Sequence, residues 1–114
     1  MSLAAFFEDT AEGYLKWVKD WEDPNPKPVL DEHEGFVVVR DDLLSAGSKI
    51  RGIDYIIGHM PEFKDTKEFV FGSCPATGYA QISLPVVCTK YGKKAVLFMA
   101  ERKKENLHIY QQTK

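Results

Sequence analysis

Residues 49–60 read "KIRGIDYIIGHM", which puts Ile50, Ile53, Ile57 and Met60 at three- and four-residue steps. That spacing predicts a helix with one apolar face. Ahead of it stands "FVVV", a short β-branched run that reads as a strand. "KEFVFG" and "AVLFMA" are two further strands, with "YAQISLPVVCTKYG" between them as a second helix that Gly92 should stop. Pro85 inside that segment predicts either a kink or a new first turn. A first stripe of Phe7, Tyr14, Leu15, Val18 and Trp21 predicts a helix over residues 4–21, with its aromatic rings in a core or an interface. The following "EDPNPKPVLDEHEG" has three prolines within five residues and reads as an extended connector.

Strand, helix, strand, helix, strand implies two crossover units and a parallel sheet with right-handed connections. The expected fold is α/β: a short parallel sheet with flanking helices in a three-layer, Rossmann-like arrangement, plus an amino-terminal helical arm. Residues 1–34 would form the arm and connector, and residues 35–114 the α/β domain. Ligands of open α/β sheets sit beyond the carboxyl ends of the strands. The loops expected there are "RDDLLSAGSK" and "GSCPATGY", which should open on one edge.

Composition narrows the function. With 114 residues, 44% hydrophobic and 28% charged, the chain suits one small globular domain. A formal net charge of −2 offers no basic surplus for nucleic acid. No apolar run approaches the roughly 20 residues of a membrane helix. "MSLAAFFEDTAEG" lacks the basic start of a signal peptide. Cys74 and Cys88 have no C-x-x-C pairing, and a reducing, cytoplasmic setting is expected. His33, His59 and His108 are scattered without ligand spacing, so no metal site is expected.

The candidate chemistry lies in "SAGSKIRG". Gly47 and Ser48 precede Lys49 at a helix start, where unpaired N–H groups and the helix dipole favour an anion. A lysine beside apolar walls there can act as an amine nucleophile. Equally, Lys49 could be a solvated first-turn residue with Ser48 as N-cap.

"VVVRDDLLSAGSKIRGIDYIIG" resembles the opening of fold-type-II pyridoxal-phosphate enzymes, closest to the branch of aminocyclopropane-carboxylate deaminase and D-cysteine desulfhydrase. Those enzymes carry a strand, an R-D-D-L or R-E-D-L step, and a G-G-N-K-x-R-K-like segment whose lysine holds the cofactor. Arg40, Asp41, Asp42 and Leu43, then Gly47, Ser48, Lys49 and Arg51, are the matching residues. Ser48 stands where that branch usually has asparagine. After the next strand the family places a small-residue turn that binds the substrate carboxylate. "GSCPATGYAQ" sits there, with Ser73, Thr77 and the amides near Gly78 and Tyr79 as the implied contacts, though without the family's common asparagine.

The resemblance covers about residues 36–102 and implies a lyase or deaminase acting on a small amino acid. It implies Lys49 as Schiff-base lysine and general base, and Gly47 and Ser48 as the close backbone. "ERKKENLHIYQQTK" supplies neither the family's glycine-rich phosphate loop nor a partner for the pyridine nitrogen. The expectation is therefore an amino-terminal portion of a longer enzyme, with weak cofactor binding and no turnover alone.

The same residues also resemble the phosphoribosyl-diphosphate loop of type I phosphoribosyltransferases. In that reading Asp41 and Asp42 hold ribose hydroxyls, the amides from Ser45 through Gly47 to Ser48 cradle the 5′-phosphate, and Mg2+ accompanies the ligand. Arg40 and Lys49 depart from that pattern. Asp41 and Asp42 could also simply pair with Arg40 or Arg51. A non-catalytic interaction domain is the third reading. A short parallel sheet leaves edges and a face bare, so a homo-oligomer is expected in every case.

Overall fold

The computed structural model describes residues 11–75 and 77–101. Phe7, His108 and the segment from residue 102 lie outside the described residues. Along the chain run α1 (Ala11–Val18), β1 (Leu30–His33), β2 (Phe36–Val39), a 3₁₀ turn (Asp41–Leu43) and α2 (Lys49–Gly58). A second 3₁₀ turn (Pro61–Phe63), β3 (Glu68–Phe71), α3 (Ala80–Lys90) and β4 (Lys94–Leu97) follow. The protein is α/β, as its sequence pattern predicts.

One crossover forms as expected. β3 and β4 pair in parallel, Glu68 opposite Lys94 through Phe71 opposite Leu97, with α3 between them. Pro85 sits inside α3 without ending it, and burial of Leu84, Val87 and Cys88 on either side holds the helix together. Gly92 then adopts φ +65°. Its N–H bonds the Thr89 carbonyl and that of Lys93 bonds Cys88, the paired bonds of a Schellman stop.

The first crossover does not form. β2 pairs antiparallel with β1, Phe36 opposite His33, and the two make a separate hairpin. The connector thus supplies a strand. The cause is local: Glu34 and Gly35 take φ of +48° and +83°, the positive pair of a two-residue hairpin turn. The parallel sheet is therefore two strands wide among the described residues, and these form two layers instead of three.

The core sits between the helices and one face of that sheet. Ile57, Leu84, Val87 and Cys88 form its centre, with Ile50, Ile53 and Ile56 of α2 and Phe69, Phe71, Ala95 and Leu97 of the strands packed against them. On β3 the alternate residues Glu68 and Val70 face away and are exposed. The stretch after α1 is pinned to α2: the Trp21 ring meets Tyr55 edge-on at 5.1 Å, and Asn25 bonds Asp54 at 3.1 Å. No helix among the described residues is long and apolar enough to cross a membrane.

Candidate functional site

Gly47 turns the chain into α2 at φ +77°. Its bare α-carbon is covered by Tyr79, which ends the loop before α3; a β-carbon at Gly47 would lie 2.7 Å from that of Tyr79. Ser83, fully buried on α3, sets its hydroxyl between the carbonyl oxygens of Ala46 and Tyr79. The two loops singled out in the sequence therefore do meet. They meet through α3 side chains and not as neighbouring strand ends of one sheet.

At their junction lies a cavity of about 460 Å³ lined by Val39, Asp41, Asp42, Gly47, Ser48, Lys49 and Tyr79. Lys49 opens α2 and is exposed. Its ammonium has no hydrogen bond or ion pair among the described residues. Ser48 occupies the N-cap position but makes no side-chain cap bond, so the helix end keeps its electropositive character.

Both aspartates are engaged. Arg51 grips Asp41 with Nε at 3.0 Å and Nη2 at 2.8 Å, and reaches Asp23 with Nη1 at 2.7 Å. Its third hold is the Pro26 carbonyl at 2.8 Å. Arg40 grips Asp42 at 2.9 and 3.0 Å and Asp31 at 2.7 Å. Hydrogen bonds from Arg51 hold the Asp41 carboxyl below its ordinary range, and those from Arg40 do the same for Asp42. These forked pairs lock the hairpin, the 3₁₀ turn and α2 together. They also place a guanidinium N–H on every carboxylate oxygen that a sugar hydroxyl would approach.

The second loop is only partly in place. Tyr79 reaches the cavity, while Ser73, Thr77 and Gly78 do not line it, and neither does Ser45. Ser73 and Thr77 are exposed, and Ser73 holds φ +56°, an uncommon conformation for a residue with a side chain. The loop is organised by the buried Gln81, whose amide donates to Pro75 O at 2.8 Å and Gly78 O at 2.7 Å.

The sequence reading missed Gln81, Asp23 and Asp54. Asp54 is 1% exposed and accepts from Lys90 Nζ at 3.0 Å and from the Tyr91 hydroxyl. A signal existed for this one: Asp54 lies four residues after Ile50 and three before Ile57, inside the apolar stripe, where a charge must find a partner. Asp23 and Gln81 carry no comparable mark.

No protein-family model matches the chain, and neither does any curated protein or solved structure.

Proposed function

We propose that this chain carries the lysine side of a pyridoxal-phosphate site and belongs to a lyase or deaminase acting on a small amino acid. One observation carries the reading: a lysine without a hydrogen bond or ion pair among the described residues stands on the first turn of α2, in the cavity where the Gly47–Ser48 turn meets Tyr79. The order of parts also agrees with the resemblance, from strand and R-D-D-L step through lysine and strand to the small-residue turn before a helix.

The residues fit the reactive end of the cofactor. Lys49 would hold it, with Ser48 and the Tyr79 ring beside it. The cofactor's chemistry is that of an electron sink for charge left at the substrate α-carbon. Lys49 itself would move the α-proton as general base. Ser73 and Thr77 stand exposed on the loop that would take the substrate carboxylate. Cys74 and Cys88 are buried thiols, in keeping with a reducing cytoplasm.

The phosphoribosyl reading ranks second because Asp41 and Asp42 would have to leave forked arginine pairs to reach a ribose.

The test is borohydride reduction with pyridoxal phosphate at low excess, followed by peptide mass spectrometry, with Lys49→Ala alongside. A dominant adduct at Lys49 supports the reading. Labelling spread evenly over the lysines sinks it.

A further inference from the structure

Among the described residues β3 has one paired edge and one free edge. Lys94 N–H bonds the Lys67 carbonyl and Phe98 N–H bonds that of Phe71, so residues 67, 69 and 71 turn their backbone groups toward β4. By alternation, Glu68 and Val70 turn theirs to the free edge. An open groove of about 430 Å³ runs there. Its wall includes three consecutive residues, Phe69, Val70 and Phe71, which places it along the strand edge as well as on one face. Ile53 and Ile56 of α2 form the other side, and Lys49 is the one charged residue lining it.

The hairpin is the chemical counterpart of that groove. Every residue of β2 is exposed, from Phe36 at 74% to Val38 at 41%, although all four are apolar. A lone two-stranded hairpin is marginal in water, and an apolar edge strand is a template for pairing. The hairpin tip is acidic, with Glu32 and Glu34 exposed, opposite in sign to Lys49.

We propose that these two surfaces meet between copies: β2 of one copy adds to the free edge of β3 in a second, and the exchange is returned. The occupant is a second copy of this chain because strand, groove and charge all match within it. Reciprocal exchange closes the pair and leaves neither surface to grow a fibre. The inference does not depend on the cofactor reading.

The test uses light scattering with gel filtration over a wide concentration range. The native chain should run as a dimer. Val37→Lys, on β2, and Val70→Pro, which removes an N–H that bonds nothing within the sheet, should each give monomers, with circular dichroism unchanged. Mixing the two variants restores one intact strand-to-groove contact, so dimers should return at about half the number of contacts. A native monomer at all concentrations overturns the proposal. So does a dimer indifferent to Val70→Pro, which would place hairpin on hairpin, and so does a mixture that stays monomeric.

Discussion

Tyr79 lies directly over the α-carbon of Gly47, close enough that a β-carbon on residue 47 would overlap its Cβ and ring. This contact, thirty-two positions apart in sequence, joins the lysine-bearing turn to the loop before α3. The nearest atom in the way is the tyrosine Cβ, which a rotamer change does not move. Gly47 also holds φ +77°, where a side chain is strained. We therefore expect Gly47→Ala to cost about 2–3 kcal/mol in urea unfolding. A loss below ~0.5 kcal/mol would mean that the two loops are not in contact.

The Asp54 carboxylate is a second tie, between α2 and the end of α3. Lys90 is partly exposed and Asp54 is not, so the pair is held mainly by the needs of the buried acid. Asp54→Ala should cost about 2 kcal/mol, since it leaves the Tyr91 hydroxyl and Lys90 without their acceptor. Burial first, and the hydrogen bond to Asp54 second, push the Tyr91 phenol above its ordinary value. Asp54→Asn should accordingly bring it down, measured by ultraviolet titration of the tyrosines against Tyr91→Phe. An unchanged titration would separate the two residues.

Much of this was legible in the sequence, and the reasons differ by element. α2 and α3 follow from apolar spacing and a glycine stop, which are local signals. β3 and β4 follow from β-branched and aromatic runs. The partner of β2 was not legible in the same way, because "FVVV" fits a buried parallel strand and an exposed hairpin strand equally well. Glu34–Gly35 decided it, a turn signal hidden in a stretch dominated by prolines. At the site, Lys49 and its turn were readable from small residues at a helix start. The clamp by Asp23 and Arg51 was not, since ion pairs 28 residues apart leave no periodic trace.

The arginine clamps give stability a pH dependence. Asp41 and Asp42 carry carboxyls held below their unfolded value of 3.8 by Arg51 and Arg40. A group depressed in the folded state stabilises above its unfolded pKa and loses that contribution as pH falls through the folded one. The melting temperature should therefore hold steady down to about pH 5 and decline below about pH 4. Asp41→Asn with Asp42→Asn should flatten that decline. High salt should shrink it too, because the pairs are near the surface. A decline of equal slope in the double variant would assign acid sensitivity to other groups.

The same clamps make the two proposed ligand readings predict different outcomes. An aspartate that holds a ribose must offer its oxygens to hydroxyls, yet all four carboxylate oxygens of Asp41 and Asp42 already accept from guanidinium groups. Forked arginine pairs are among the stronger charged hydrogen bonds, and a neutral hydroxyl replaces them poorly. Calorimetry with phosphoribosyl diphosphate and magnesium should thus show no saturable heat. Lys49, by contrast, has no hydrogen bond or ion pair among the described residues to give up. Its labelling by pyridoxal phosphate should survive Asp42→Asn, which leaves Arg40 on Asp31 and α2 in place. Magnesium-dependent binding of the sugar phosphate, lost in Asp41→Asn with Asp42→Asn and untouched by Lys49→Ala, would reverse the ranking and make the aspartates the working residues.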